Sequence, residues 1–377
     1  MLTNVSFRNL RGLKEVDIPL ERFTVFVGTN SSGKTSVLEG IDFLSQLGRP
    51  LTDEVEENRE TIWRTEVMTD LVRLRSWLTA NAEPAELSVS VEFSSQNEIG
   101  ARVCFRSNEK RTLQRAFLWQ KTTESQVTLR LPDQYANAQR FFNMSGYGEF
   151  RSTGRLRLEP REMATAAYSD EVTPTLGLRG ENLAVLLGDL KMRSNDSIRR
   201  IAAALKEVIP SVEAIHVERA RVFSQDHPPP KGVIGFSLAL EMRGAGVIDA
   251  AEVSEGTLLT LGLLTLLESS SRPNLILLDD LDRALHPKAQ WDLVACLRRF
   301  LEQNSDVQIL CTTHSPYLLE VFKPEEIRIM TSNSENYSVC KRLVDHPRWE
   351  EFKDMVSPGE FWSDVGESWL LDEEPAE

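Results

Sequence analysis

The sequence predicts an α/β fold with a mostly parallel core sheet flanked by helices, an antiparallel β lobe and a helical insertion. Three stretches favour this class. Residues 23–27 form an apolar, β-branched and aromatic run, followed by a glycine-rich loop and a helical pattern. Residues 274–280 and 307–316 are two further apolar runs that end in polar residues, with a helical pattern between them. Apolar strands that alternate with helices are typical of a parallel sheet covered on both faces.

The glycine-rich loop at residues 28–35 reads G-x-x-x-x-G-K-[ST], the P-loop pattern. Its glycines let the backbone curl so that N–H groups face a phosphate at the N-terminus of the following helix. Lys34 would reach the β- and γ-phosphates, and the Thr35 hydroxyl would bind Mg²⁺. A chance match in a Gly/Ser turn is the alternative, but the flanking strand and helix favour a nucleotide site.

The first half of the chain shows helical and alternating patterns in turn. Strands are predicted at about 2–8 and 13–18, and the P-loop helix runs to about Leu47, where Gly48-Arg49-Pro50 ends it. Residues 51–81 predict an amphipathic helix without a lasting heptad, which argues against long coiled-coil arms. Period-two alternation then predicts antiparallel strands at 87–93 and 127–131, with a shorter strand between them at 103–105. Residues 133–180 are predicted to be irregular.

The second half begins with a capped helix from Ser194 to Ile209, followed by two strands at about 212–219 and 233–242. An apolar helix is predicted from Thr257 to Leu267, and a helix with a charged outer face ends near Gln303. The predicted division has an N-terminal half-domain, an inserted lobe, a C-terminal half-domain and a short, docked, helical tail: 1–48, 49–210, 211–331 and 332–377.

Composition excludes several classes of protein. The formal net charge of −14 gives no global attraction to nucleic acid or to anionic membranes. The cysteines are far apart, which argues against a zinc site or a disulfide framework: Cys104, Cys296, Cys311 and Cys340. Because the sequence also has no signal-peptide pattern and no apolar run long enough to span a bilayer, we expect a cytoplasmic protein.

Polar residues that follow the later apolar runs are the partners expected for a P-loop. Asp279 ends the run at 274–280, where a carboxylate can hold Mg²⁺, and Asp280 can deprotonate an attacking water. Ser254 and Gly256 open the apolar helix that precedes this run, and they can bind a γ-phosphate. His314 can hydrogen-bond that phosphate or the water. The structural alternatives are a solvated strand end for the carboxylates, a plain helix cap for Ser254, and a capping histidine for His314.

Taken in order, the P-loop, Ser-Glu-Gly at 254–256, the Asp-Asp pair at 279–280, Leu-His-Pro at 285–287 and Thr-His-Ser-Pro at 313–316 resemble the ABC-type ATPase heads of the RecF, SMC and OLD group. The segment Phe-Arg-Asn-Leu-Arg-Gly at 7–12 is similar to the N-terminal signature of that group. Weaker similarity, at 180–184 and in the tail, points to stand-alone RecF-like ATPases of bacterial defence and repair loci.

The resemblance implies that two heads meet head-to-tail with ATP between them, so that ATP holds a dimer and hydrolysis releases it. Thr35 and Asp279 would then hold Mg²⁺, and Asp280 would be the catalytic base. Either Arg8 or Arg11 would approach the nucleotide, and Asp282 would contact a second subunit. The residues that bind the phosphates would be Asn30, Ser31, Ser32, Gly33, Lys34, Thr35 and Ser36. Ser254 and Gly256 would act on the nucleotide of the other subunit, and His314 would be the switch.

The chain departs from the family pattern in two places. The usual base is Glu, and Asp280 is one methylene shorter, which predicts slow turnover. No Q-loop glutamine can be placed, and the candidates are Gln114, Gln120, Gln126 and Gln139. The residues after 331 are too few for the Toprim nuclease domain of OLD-type proteins, so an effector activity would belong to a separate chain.

Three functions follow from these observations. The first is an ATP-driven, dimerising switch that controls a separate nuclease or toxin, in phage defence. The second is a repair ATPase that acts directly on DNA, and the third is an ATP-dependent scaffold that hardly hydrolyses.

Overall fold

The computed structural model describes residues 1–46, 86–105, 113–121, 126–131, 153–223 and 232–371. The helix predicted at 51–81 and the candidate Gln139 lie outside them. The chain forms two compact units. Unit 1 comprises Met1–Thr153, Asn274–Leu277 and Asp306–Glu377, and unit 2 comprises Gly154–Pro273 and Leu278–Ser305. The four-part division drawn from the sequence stays a prediction.

Unit 1 contains an antiparallel sheet in the strand order β2-β1-β4-β5-β6-β7. These strands are β1 (Leu2–Leu10), β2 (Leu13–Pro19), β4 (Glu86–Phe93), β5 (Glu98–Phe105), β6 (Leu113–Lys121) and β7 (Gln126–Leu131). The antiparallel lobe is therefore confirmed, but β5 is longer than predicted and β6 was not predicted. The first part of β5 was not predicted because it contains Gly100, and glycine is rare in strands. A Cβ at Gly100 would lie 2.1 Å from the Trp119 ring of β6, so the packed ring takes the place of a side chain.

Unit 1 also contains the parallel-rich sheet, in the order β15-β14-β3-β13-β12. Its strands are β3 (Phe23–Gly28), β12 (Leu275–Leu278, the first three residues in unit 1), β13 (Gln308–Thr312), β14 (Ile327–Ser332) and β15 (Ser338–Arg342). The P-loop strand β3 pairs in parallel with β13 and β14, and β15 is antiparallel to β14. The prediction of a mostly parallel sheet is confirmed.

The P-loop helix α1 (Lys34–Gln46) packs against strands of both sheets of unit 1. Leu38, Ile41 and Leu44 are fully buried in one continuous core with residues of these strands. Gly40 permits a close approach, since a Cβ there would lie 2.5 Å from the Phe7 ring. The shape of the P-loop is therefore fixed from both of its ends, by a buried strand and a buried helix.

The tail of unit 1 differs from its prediction. The prediction of a wholly helical tail is wrong at Ser338–Arg342, which is β15. Helical segments come later, at α8 (Trp349–Phe352) and α9 (Pro358–Val365), and the short helix α7 (Pro316–Leu319) follows β13. Period-two alternation is weak in β15 because it is a short strand whose residues are mostly only partly buried.

Unit 2 combines helices with a three-stranded antiparallel sheet in the order β11-β10-β9. Its elements are β8 (Thr153–Leu156, from Gly154), α2 (Pro160–Met163), α3 (Leu183–Arg193), α4 (Asn195–Val208), β9 (Val212–Phe223), β10 (Gly232–Met242), β11 (Gly246–Asp249), α5 (Glu255–Glu268) and α6 (Pro287–Gln303). The helices predicted for α4, α5 and α6 and the strands β9 and β10 are confirmed. Helix α3 was missed because it is buried almost all round and so lacks a polar face.

Candidate nucleotide site

The loop between β3 and α1 requires glycine at both ends of its pattern. Gly28 has φ +141°, and a Cβ there would lie 1.8 Å from the carbonyl oxygen of Met330 on β14. Gly33 has φ +101°, and its Cβ would lie 2.5 Å from Ser338 Oγ on β15. Because a side chain at either position would collide with a neighbouring strand, the glycines let the loop close against the sheet.

Lys34 lies inside this loop. Its residue is buried, and its Nζ donates hydrogen bonds to the carbonyl oxygens of Gly28 at 2.9 Å and of Thr29 at 2.8 Å. Asn30 and Ser31 form the exposed tip, and Ser31 adopts φ +65°. Ser32 is buried in the bend before the helix, and Thr35 and Ser36 are partly exposed in its first turn. The ammonium group is therefore held where the loop curls.

The two arginines of the N-terminal signature have different environments. Arg11 donates to Ser36 Oγ at 3.4 Å and forms an ion pair with Glu39, so it is bound to the first turns of α1. Arg8 instead forms an exposed ion pair with Asp17 of β2, at 3.1 Å. Of the two, Arg11 is the one the structure places beside the P-loop helix.

His314 follows β13 in the turn before α7. The parallel register of β13 and β3 pairs Thr312 with Phe26, and the N–H of Thr313 donates to the carbonyl oxygen of Phe26 at 3.0 Å. His314, the residue after Thr313, is exposed at the same end of the sheet as Gly28, where the P-loop begins. Ser315, not His314, caps α7, accepting the N–H of Leu318 at 3.3 Å.

In unit 2, the Asp279 carboxylate is nearly buried, with its side chain 3% exposed. Arg155 of β8 contacts it, with Nη2 to Oδ2 at 2.8 Å. The N–H of Asp279 donates to the carbonyl oxygen of Leu156 at 3.1 Å. This carboxylate is therefore matched by a cation and held by the backbone, which is not the environment of a solvated strand end.

Asp280 is exposed and adopts the left-handed conformation, with φ +54°. A left-handed residue other than glycine is uncommon, although Asp and Asn tolerate it best. Arg283 ties the turn after it to the link between β8 and α2, because its guanidinium contacts Glu159 Oε2 at 3.2 Å and the carbonyl oxygen of Leu158 at 3.1 Å. The hydrogen bond from Arg283 holds the pKa of Glu159 below its ordinary value.

The start of α5 is also in unit 2. Ser254 caps this helix by accepting the N–H of Thr257 at 3.4 Å, and it is exposed. Gly256 is buried, and a Cβ there would lie 2.4 Å from the carbonyl oxygen of Ala284. The glycine therefore lets α5 pack against the turn that follows Asp280.

Other predictions have varied outcomes. Gln120 lies on the buried face of β6, and within the described residues its amide has no hydrogen-bond partner. Gln126 of β7 is exposed. Sequence reasoning missed Arg155 and Ser338, since the first lies in a stretch interpreted as irregular and the second in a predicted helical tail. Neither has a local pattern that would have revealed it.

The residues of each unit fit their expected ligands. The glycine cradle with an ammonium group inside it suits a phosphate chain. The nearly buried Asp279 carboxylate, at the end of a core strand, offers the oxygen ligands that Mg²⁺ prefers. Within the described parts of the chain, no helix is both long and apolar enough to cross a membrane.

The fold agrees with solved SMC heads. A crystal structure of an SMC head bound to the C-terminal winged-helix domain of ScpA is similar, with a TM-score of 0.55, 14% identity, and 91% of this chain and 98% of that one covered. The SMC head with an extended coiled coil bound to the C-terminal domain of ScpA, derived from Pyrococcus furiosus, has a TM-score of 0.55 and 13% identity, with 94% and 99% covered. The fold, with its P-loop, is thus that of an ABC-type ATPase head.

A family model assigns the chain more narrowly. Residues 23–320 match the family described as "AAA domain, putative AbiEii toxin, Type IV TA system". Because this match covers most of the chain, the protein belongs to that family of AAA domains. The search among curated proteins found no relative.

Proposed function

We propose that this chain binds and hydrolyses ATP, dimerises around it, and works as a switch that controls a separate effector, a nuclease or toxin. The observation that carries the proposal is the position of Lys34, whose ammonium group lies within a closed glycine loop 2.9 Å from the carbonyl oxygen of Gly28. An ammonium group among backbone groups at a helix N-terminus suits a triphosphate, which needs both the positive charge and the backbone N–H groups.

Each predicted site residue has a proposed role in binding or hydrolysing ATP. The loop from Asn30 to Ser36 binds the phosphates, with Lys34 at the β- and γ-phosphates, and Thr35 with Asp279 holds Mg²⁺. Bound Mg²⁺ neutralises charge that develops on the phosphates. Asp280 takes the proton of the attacking water, and His314 orients the γ-phosphate or that water. Ser254 and Gly256 act on the nucleotide of the partner subunit.

Slow turnover is part of the proposal. Asp280 is shorter than the usual Glu, and its left-handed backbone is a conformation that costs energy. A base on a short side chain depends strongly on how the turn is positioned. We therefore expect long-lived ATP-bound dimers, which suits a switch better than a motor.

The comparisons support a separate partner. The matched family is described by a toxin–antitoxin system, and the similar SMC heads were solved bound to a domain of ScpA. By analogy, we propose that this head also acts on another protein, in anti-phage defence in the cytoplasm. All four cysteines are thiols rather than disulfides, and thiols suit a reducing compartment.

Analytical ultracentrifugation with and without Mg·ATP tests the proposal. The wild type should change from monomer to dimer, and Lys34→Ala should stay monomeric and bind no nucleotide. Lys288→Ala is the matched control, because Lys288 is exposed and its described ion pair is with Asp292, one turn further along the same helix. Dimerisation that persists in Lys34→Ala would contradict the proposal.

The same preparation distinguishes the alternatives. Turnover that DNA stimulates several-fold would favour a repair ATPase. ATP-dependent dimers without measurable phosphate release would favour a scaffold. Isolation of the protein from its native host after adding Mg·ATP would identify an effector that binds only the dimer.

A further inference from the structure

Two ion pairs in unit 2 join the same two segments with opposite polarity. Arg155 contacts Asp279 at 2.8 Å, and four residues further along each segment Glu159 contacts Arg283 at 3.2 Å. The carbonyl oxygen of Leu156 accepts the N–H of Asp279 between these pairs. Residues 155–159 are therefore clamped onto the turn at 279–283, which carries the predicted metal ligand Asp279 and the predicted base Asp280.

The two ends of this clamp differ in burial. The side chains of Arg155 and Asp279 are 11% and 3% exposed, whereas those of Arg283 and Glu159 are 37% and 31% exposed. A buried carboxylate is strongly destabilising unless a cation matches it. Arg155 provides that cation at the buried end of the clamp. At the more exposed end, water screens the charges of Glu159 and Arg283.

A second cation at Asp279 would change this balance. A divalent ion bound by the same carboxylate would repel the guanidinium beside it and would weaken their ion pair. The outer pair, Arg283 with Glu159, contains no predicted metal ligand and would keep its charges. Nucleotide-linked metal would therefore act on one end of the clamp only.

We propose that Arg155 is a positioning residue that holds Asp279 in place until nucleotide and Mg²⁺ bind, and that it then releases this carboxylate. This inference rests on the proposed function. Arg155 thereby competes with Mg²⁺ for Asp279. Because Arg155 belongs to β8, metal binding would change a contact of that strand. Glu159 and Arg283 keep the segment attached when the inner pair opens.

The test compares binding of a fluorescent ATP analogue (mant-ATP) with and without Mg²⁺, in full-length protein. Mg²⁺ should strengthen binding in the wild type, and in Arg155→Gln this gain should be about tenfold larger because the competing charge is gone. Arg200→Gln is the control and should show the wild-type gain, because its ion pair with Glu268 joins other segments of unit 2. An equal gain in Arg155→Gln and wild type would overturn the proposal.

A double-mutant cycle provides a readout that a purely structural role would not produce. Asp279→Asn should remove the effect of Arg155→Gln on Mg²⁺-dependent binding, since the two residues act through one carboxylate. If Arg155→Gln does not fold, Arg155→Lys replaces it and should show a gain between those of wild type and a neutral residue; a gain equal to wild type would overturn the proposal. A wild type that binds no analogue would instead contradict the proposed function.

Discussion

Gly256 and Ala284 approach so closely that a single methyl group on the glycine would lie 2.4 Å from the alanine carbonyl oxygen. This contact joins the start of α5 to the turn after Asp280 within unit 2. Gly256, which the sequence predicts to bind a phosphate, therefore has a packing role that can be measured separately.

Gly256→Ala should destabilise unit 2 by roughly 2 kcal/mol, because the colliding atom is backbone and cannot turn away. Urea unfolding provides the measurement. The control is Gly262→Ala in the same helix, where the nearest atom is the flexible end of Met163, Cε at 2.3 Å. That substitution should cost little, since alanine also favours a helix over glycine. Equal losses in the two variants would contradict the close contact.

Asp280→Asn should abolish ATP hydrolysis while ATP binding and folding stay intact. Asn suits this position because, like Asp, it tolerates φ +54°, whereas Ala would add strain to the loss of charge. Phosphate release measured over a single turnover checks the prediction, with Asp292→Asn on the surface of α6 as control. Wild-type release from Asp280→Asn would show that another group is the base.

Arg328→Met should destabilise unit 1 by about 3 kcal/mol, since the change removes two hydrogen bonds from a charged donor, each contributing about 1.5 kcal/mol or more. Arg328 is fully buried, and its guanidinium donates to the carbonyl oxygens of Pro19 and Glu325, both at 2.6 Å. Arg342 is its direct partner in the β14–β15 register but forms a partly exposed ion pair with Asp345. Arg342→Met should therefore shift the urea midpoint far less, and similar shifts would contradict the assignment.

His346 should make the tail of unit 1 sensitive to acid. Its ring packs against Phe361 and Trp369, with centroids 4.9 and 4.8 Å away, and burial lowers its pKa below the ordinary 6.5. The unfolded chain then binds the proton more readily, so this contribution to stability is complete above pH 6.5 and is lost as the pH falls below it.

His346→Phe keeps an aromatic ring in place but cannot titrate. Its melting temperature should therefore rise relative to that of the wild type as the pH is lowered through 6.5. Differential scanning calorimetry in buffers on either side of this pH provides the measurement. A difference between the two proteins that stays constant with pH would contradict the assignment to His346.

Local sequence predicted much of the site because its chemistry lies in short, ordered motifs. The run at 23–27 and the glycines at Gly28 and Gly33 define strand, loop and helix within one stretch, and their neighbours only confirm the need for glycine. The apolar run before Asp279 likewise predicts a strand end. Such motifs can be recognised because every residue that matters is within a few positions of the next.

The sequence by itself determined the α/β class, the P-loop and the order of the polar residues that follow the core strands. Only the tertiary structure decided which side chains meet across long separations: Arg155 with Asp279, Ser338 with Gly33, and Trp119 over Gly100. The physical reason is that periodicity reports which face of an element is buried, but not which other element covers it. Pairing of charges and close approach of backbones depend on that second choice, and they become visible only once the chain has folded.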